Sequence, residues 1–395
     1  MIEFPLSMAH LLKPISLETF LSRYYEREPL IIDRDTPSHF DGLITVDALE
    51  DIICATALTS DDILVVDDSR EIDPEDYICA DEKIDAVRVQ RLFDEGATIS
   101  LRQMQNKVPS LATLCRSAEQ QFSCAFQANL YFSPPNAQGF KTHHDTHDVF
   151  ILQILGSKHW QIYEPVVPLP LRGQGYYWET PPDGPPVTDF TLRPGDLFYC
   201  PRGIPHNARA SQEASLHISL GAMVGTWAEL LLEVVADVAL RDPAFRASLP
   251  PGYVTNDVAP EVLGKTLQDL LARLQLQARP RHVLGMMADR FIIGRPALIS
   301  GQSRTLLAAA ALTLDSRVGG RPGLLYRMSE HRKKITLVCN SRQIAFPRFT
   351  ASSLKFALCS PSFLVRDLPG SLSDSGKIVL IRRLMREGLV ITVPD

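Results

Sequence analysis

Between about residues 125 and 224 the chain is a succession of short apolar runs, ANLYFS, DVFILQILG, HWQIY, TDFTL, DLFYC and SLHISL, separated by proline, glycine and polar clusters. Runs this short, bounded by turn residues, read as strands rather than helices. Many short strands in sequence predict a β-sandwich or barrel. The flanking segments have to be accommodated around that core.

At 395 residues with 45% apolar side chains, the chain exceeds one typical core and predicts two or three domains. The first hundred residues read as a mixed α/β lead-in. SLETFLSRYYEREPLIID has helical spacing at Leu17, Phe20, Leu21 and Tyr24, then Pro29 ends the helix and LII forms a strand. Asp61, Asp62, Asp67 and Asp68 read as solvated loop and strand edge. From about residue 226 the β texture stops. WAELLLEVVADVALRDPAFRASL and EVLGKTLQDLLARLQLQ have three- and four-residue apolar spacing and predict a pair of helices. Their surplus apolar face predicts contact with a second copy of the chain. From about 300 onward come TLLAAAALTL, the strand KITLVC, the helical SSLKFALCS and SDSGKIVLIRRLMREGLVITV. In the last of these, Ser373 or Asp374 caps a helix, Ile381, Leu384 and Met385 face a core, Gly388 ends the helix and LVITV is a strand. That outline is a winged helix.

The seven cysteines, Cys54, Cys79, Cys115, Cys124, Cys200, Cys339 and Cys359, are scattered and form no CxxC pair, which predicts a reducing compartment. The start has no basic stretch followed by an apolar one, and no apolar run reaches the roughly 18 residues of a membrane span. A soluble, cytosolic protein without membrane contact is expected. The net charge of −6 conceals an asymmetry: residues 281–395 carry 18 Lys and Arg against 7 Asp and Glu, the first 280 carry 22 against 39. The two ends therefore meet different surroundings.

The chemistry concentrates in KTHHDTHDVFILQILGSKHW, residues 141–160. If residues 143–147 are extended, His143, Asp145 and His147 share one face and His144, Thr146 and Asp148 the other. His-x-Asp then sets two metal-binding side chains side by side. An iron(II) oxygenase site needs two imidazoles and one carboxylate on one face of the metal, so a second histidine is required from a later strand. LRPGDLFYCPRGIPH brings in His206 at the end of a strand after a Pro-Gly turn. Lys158, past the strand DVFILQILG and a turn at Gly156-Ser157, is returned toward the metal. A buried lysine there needs an anion, and the dicarboxylate 2-oxoglutarate supplies one.

These residues, from ANLYFSPPNAQGF through HHDTHDVFILQILGSKHWQIYEP to LRPGDLFYCPRGIPHNA, closely resemble the JmjC-type 2-oxoglutarate oxygenases, and within them the ribosomal oxygenase subgroup. The lead-in FLSRYYEREPLII and the end DLPGSLSDSGKIVLIRRLMREGLVITV share the resemblance. It implies a mainly β core with α additions: a double-stranded β-helix (cupin or JmjC jelly roll) in residues 1–224, a helical dimerisation domain in 225–300 and a C-terminal winged helix in 301–395. It implies His143, Asp145 and His206 as the Fe(II) ligands and Lys158 as partner of the far carboxylate of 2-oxoglutarate. It further implies that Asn129, Tyr131 and His217 line the cosubstrate pocket. With O2, such a site decarboxylates 2-oxoglutarate to succinate and hydroxylates a substrate. The subgroup resemblance implies a protein substrate, a histidine or arginine of a ribosomal protein first, and a homodimer through the helical domain.

The remaining polar residues have plainer readings. His147 is a rim or substrate contact before it is a third ligand, His144 a hydrogen-bonded strand residue, His159 a packing residue beside Trp160, and Cys200 a small buried apolar group. The acidic first two-thirds suits a basic peptide. Arg332, Lys333 and Lys334, with Arg382, Arg383 and Arg386, raise nucleic-acid contact by the winged helix as a lesser reading. Two other functions stay open: an oxygenase of a peptide natural product or RNA base, and a cupin and winged-helix binding protein without turnover. Demethylation is a variant of the same chemistry.

Overall fold

The computed structural model describes residues 7–175, 184–255 and 259–393. They fall into two units, Met1–Val224 with Arg321–Gly323, and Gly225–Gly320 with Leu324–Asp395.

The described residues of the first unit form ten strands: β1 (Leu30–Ile32), β2 (Ile63–Val66), β3 (Thr98–Leu101), β4 (Ala125–Ser133), β5 (Asp148–Leu155), β6 (Lys158–Ile162), β7 (Thr188–Leu192), β8 (Leu197–Cys200), β9 (His206–Ala210) and β10 (Ser215–Met223). Seven form one sheet in the order β1-β8-β5-β10-β4-β3-β2 and three form a second in the order β7-β6-β9. Every neighbouring pair is antiparallel. After β5 the chain crosses to the small sheet for β6 and β7, returns for β8, crosses again for β9 and returns for β10. That alternation is a cupin-like double-stranded β-helix.

Strand periodicity decides which side chains enter the barrel. In β4, Ala128, Leu130 and Phe132 point outward into a core shared with Leu111, Leu114 and Ala118 of the helix Pro109–Phe122. Asn129, Tyr131 and Ser133 therefore point inward, as does His217, whose neighbours Leu216 and Ile218 join the same outer core. A separate inner cluster joins Val149 and Ile151 of β5 to Trp160 and Ile162 of β6, Leu192, Phe198 and Cys200. The crossing from β5 to β6 turns on Gly156, with φ +60°, where an added Cβ would lie 2.0 Å from the carbonyl oxygen of Ala214. Only glycine fits both the backbone angle and that approach.

The lead-in departs from expectation. Leu17–Thr19 is α-helical, but Phe20–Tyr24 is a π turn. The wider turn rotates Leu21 out to solvent, and the helix breaks at Glu26, which adopts φ +56°, before Pro29 is reached. The acidic segment behaves locally: Asp62 accepts from Thr59 and pairs with Lys107, and Asp67 accepts from Ser69.

The second unit opens with the helices Trp227–Arg241, Pro260–Gln277 and Pro280–Ile293. The third was not expected: Pro280 starts a helix rather than ending one, and Gly285 interrupts its apolar pattern. The first begins with a capping box, in which Thr226 Oγ1 accepts from the Glu229 amide at 3.1 Å and Glu229 accepts from the Thr226 amide at 2.8 Å. Thr226→Ala is expected to destabilise this unit by about 1 kcal/mol, measurable as a fall in its unfolding midpoint. Trp227, Leu231 and Leu232 of this helix, and Leu263, Leu267 and Leu271 of the next, are exposed.

Six further strands follow: β11 (Arg317–Gly320), β12 (Tyr326–Glu330), β13 (Lys334–Cys339), β14 (Arg342–Pro347), β15 (Phe363–Leu364) and β16 (Val390–Thr392). They make the sheets β15-β11-β16 and β12-β13-β14. The helix Asp374–Arg386 is capped by Ser373 and buries Ile381, Leu384 and Met385, and Gly388 at φ +74° turns the chain into β16. None of the seven cysteines is in a disulfide. No described helix is long and apolar enough to cross a membrane.

Candidate metal centre

His143 and Asp145 lie on the segment entering β5, and His206 is the first residue of β9. Sequence reading set His206 at the end of a strand; it opens the next one, because the turn after β8 reverses the chain before the histidine. Backbone pairing brings the pieces together: the His143 amide donates to the His206 carbonyl at 3.1 Å, the His206 amide returns a bond to the His143 carbonyl at 2.8 Å, and the Gly203 amide donates to the Asp145 carbonyl at 3.0 Å. Residues opposed in an antiparallel bridge project to the same side. The donor atoms of His143, Asp145 and His206 consequently lie within 4.8 Å of one another, with His206 Nε2 3.9 Å from Asp145 Oδ2.

The rings are oriented for ligation. His143 Nδ1 lies 2.9 Å from the Lys141 carbonyl oxygen and His206 Nδ1 lies 3.0 Å from that of Ile204. A carbonyl only accepts, so in each ring Nδ1 carries the proton and Nε2 the lone pair a metal needs. Burial, reinforced by the neighbouring His143, pulls the pKa of His206 down to about 4, so the ring is neutral at physiological pH. Burial opposes the charged form of Asp145, but His147, His143, His206 and His144 outweigh it and hold the carboxyl below its ordinary value. Two neutral imidazoles and one carboxylate on one side are the donor set that suits non-haem iron(II).

Deeper in the barrel, Lys158 opens β6 and is buried, with 4% of its surface exposed. Its Nζ crosses to the large sheet and donates to Ser133 Oγ at 3.0 Å, while Thr98 Oγ1 donates to the same oxygen at 2.9 Å. Among the described residues no carboxylate pairs with it, and burial alone lowers its pKa to about 7. Ser133 and Thr98 were missed in the sequence, although the alternation Asn129, Tyr131, Ser133 was a readable signal for the first. His217 stacks on Tyr131, with ring centroids 4.8 Å apart and planes within 10°, and meets the edge of Trp160 at 5.6 Å. Burial and then the Lys158 charge push His217 well below its ordinary pKa, and its Nδ1 has no hydrogen-bond partner. Burial raises the Tyr131 pKa, keeping a phenol that hydrogen-bonds with Ser100 and Asn129. Asn129 Oδ1 accepts from the Gln103 amide at 2.9 Å and from Gln127 Nε2 at 3.0 Å.

The other candidates are not among the three clustered donors, although Cys200 Sγ lies 3.7 Å from His206 Nδ1. His147 packs against Gly221 of β10, where an added Cβ would sit 2.7 Å from its ring. His144 is buried and its Nε2 lies 3.1 Å from the Gln174 carbonyl oxygen. His159 does not pack beside Trp160: it alternates outward on β6 and pairs with Asp189 at 3.0 Å. Cys200 is buried, with its thiol pKa driven up by burial.

Residues 100–230 match the family described as JmjC domain. Ribosomal oxygenase 2 of Rattus norvegicus is 30% identical over 303 residues, covering 72% of this chain and 63% of that protein. The bifunctional lysine-specific demethylase and histidyl-hydroxylase NO66 of Aedes aegypti is 30% identical over 227 residues, 56% of this chain and 36% of that protein. The chain thus spans less than two thirds of the length of these curated relatives. Among solved structures, YcfD, a ribosomal oxygenase from Escherichia coli in complex with cobalt and succinic acid, superposes with a TM-score of 0.56 at 17% identity, over 96% of this chain and 99% of that one. A structure of YcfD with cobalt and 2-oxoglutarate gives a TM-score of 0.55 at 18% identity, over 96% and 99%. At that identity the likeness is one of fold. Residues 100–230 thus belong to the JmjC domain family, and the chain around them is similar to the ribosomal oxygenases.

Proposed function

We propose that this protein is an Fe(II)- and 2-oxoglutarate-dependent oxygenase that hydroxylates a protein side chain, a histidine or arginine of a ribosomal protein first. The observation that carries the proposal is a buried lysine without a carboxylate, set in the same barrel interior as a His-Asp-His cluster. Ile162 of β6 is paired with His206, and Lys158 is four residues farther along the same inward face. Four strand residues span about 13 Å. A five-carbon dicarboxylate and a lysine side chain bridge that distance between them.

His143, Asp145 and His206 are the metal ligands in this reading, with both tautomers already fixed for Nε2 donation. When bound, the iron supplies the oxygen chemistry, in which 2-oxoglutarate and O2 yield succinate, carbon dioxide and one oxygen atom for a substrate C–H bond. Lys158 neutralises the far carboxylate, and the hydroxyl of Ser133, which already accepts from Lys158 and Thr98, is left to donate its own hydrogen. His217, Tyr131 and Trp160 wall the pocket and exclude water. Asn129, clamped through its oxygen by Gln103 and Gln127, presents its amide nitrogen inward.

The remaining parts of the reading rest on the second unit. Residues 225–300 form a homodimerisation module, supported by the exposed Trp227, Leu231, Leu263 and Leu267 on two successive helices. Residues 301–395 form a winged helix, supported by the helices Gln302–Ala308, Ala351–Cys359 and Asp374–Arg386, with the β12-β13-β14 meander as its wing. A cytoplasmic protein suits both seven cysteines outside any disulfide and a ribosomal substrate.

The test is incubation of the purified protein with Fe(II), 2-oxoglutarate, O2 and ribosomal proteins. The expected result is a mass gain of one oxygen on a single protein, matched by succinate. Succinate without any modified ribosomal protein would point to another substrate class, and no succinate with any acceptor would leave only a binding role.

A further inference from the structure

The turn that delivers His206 contains a side chain of unusual placement. Arg202 is 7% exposed, although it lies in a loop at the end of a strand. Its backbone amide donates to Asp148 Oδ1 at 2.9 Å. Its guanidinium Nη1 bonds Glu26 and lies 3.6 Å from Asp148 Oδ2. Asp148 is fully buried at the head of β5, three residues after Asp145. Glu26 reaches in from the lead-in at φ +56°, a backbone angle a glutamate rarely adopts, with its amide donating to the hydroxyl of the buried Tyr199 at 2.9 Å.

This triad is poorly satisfied as a stabilising device. Arg202 Nε and Asp148 Oδ2 have no hydrogen-bond partner. A buried ion pair with such gaps gains little over apolar packing of the same volume. Its geometry accounts for it better. The segment carrying His143 and Asp145 runs into the large sheet, whereas His206 begins a strand of the small sheet. Arg202 and Asp148 tie those two pieces together immediately beside the triad, next to the bond from the Gly203 amide to the Asp145 carbonyl.

We infer that Arg202, Asp148 and Glu26 form a positioning clamp that holds the His206 turn in register with His143 and Asp145 and so sets the affinity and coordination geometry of the metal. The inference rests on the metal-site reading above. Groups bonded directly to metal ligands typically govern metal affinity by about 10- to 100-fold, and a clamp on the backbone that carries the ligands acts on the same scale at most.

The test uses Co(II) added to the full-length, metal-free protein, reading the dissociation constant and the visible d–d spectrum, with the thermal midpoint measured alongside. Arg202→Met combined with Asp148→Asn removes the charges together and leaves the amide bond to residue 148. The clamp predicts a 10- to 100-fold weaker Co(II) affinity and a changed d–d spectrum in this folded variant. Arg202→Lys alone, which keeps the cation, recovers most of the affinity. Wild-type affinity and an unchanged spectrum in the double variant would overturn the clamp and leave a purely structural role. If the double variant does not fold, Glu26→Gln decides: weakened Co(II) binding with a retained midpoint supports the clamp, and unaltered binding overturns it. Absence of Co(II) binding by the wild type overturns the metal-site reading, and this inference with it.

Discussion

Asp145→Ala is expected to abolish the visible charge-transfer absorption that Fe(II) and 2-oxoglutarate produce together under anaerobic conditions, and to lower turnover by about a thousandfold or more. Asp145 is the single carboxylate of the triad. Removing it leaves two neutral imidazoles, from His143 and His206, to hold a dication with no compensating charge. Loss of several kcal/mol of metal affinity corresponds to that factor, since each 1.4 kcal/mol is about tenfold. The variant is expected to fold: the segment is held by the backbone bonds among His143, Gly203, Asp145 and His206, none of which uses the carboxylate. Asp145→Asn, which keeps the shape and removes the charge, is expected to lose the same band. A folded Asp145→Ala protein that retained the absorption would put the metal elsewhere.

Lys158→Met is expected to weaken 2-oxoglutarate binding by about 100-fold, as befits loss of a buried charge-assisted contact. The pH dependence makes the prediction sharper. In the folded protein without cosubstrate, burial lowers the Lys158 pKa from 10.5 to about 7. Between those values the unfolded chain holds the proton and the folded one does not, so stability of the ligand-free protein rises with pH across that window. A bound carboxylate reverses the balance by favouring the ammonium. Binding of 2-oxoglutarate is therefore expected to take up a proton above about pH 7, and its affinity to fall with rising pH, by at most about tenfold per unit. Calorimetric titration in two buffers of different ionisation enthalpy measures the proton uptake directly. Uptake that persists in Lys158→Met would assign the proton to another group. The variant itself is expected to be at least as stable as the wild type near neutral pH, because it replaces a buried amine that has a hydroxyl but no carboxylate partner among the described residues with an apolar side chain.

Several features were legible in local pattern because the forces that produce them are local. Alternation along ANLYFS separates Ala128, Leu130 and Phe132 from Asn129, Tyr131 and Ser133, since successive strand side chains face opposite ways whatever the rest of the chain does. The cap at Ser373 and the left-handed Gly388 bound the last helix for the same kind of reason. The spacing of His143 and Asp145 likewise places two donors side by side. Local pattern misled where a wider helical turn moved Leu21 outward, and where Pro280 began a helix that the reading had closed.

Long-range pairing is what local pattern does not contain. Lys158 meets Ser133 across 25 residues of chain, and Arg202 meets Glu26 across 176. The opposition of His143 and His206 depends on how the chain alternates between two sheets. Residue types and spacing along the chain therefore specified which donors this protein has and which face of a strand each occupies. Only the closing of two sheets on a shared interior, driven by burial of both faces of β5, decided that those donors converge, that Lys158 is left without a carboxylate, and that a buried arginine sits beside the turn bearing His206.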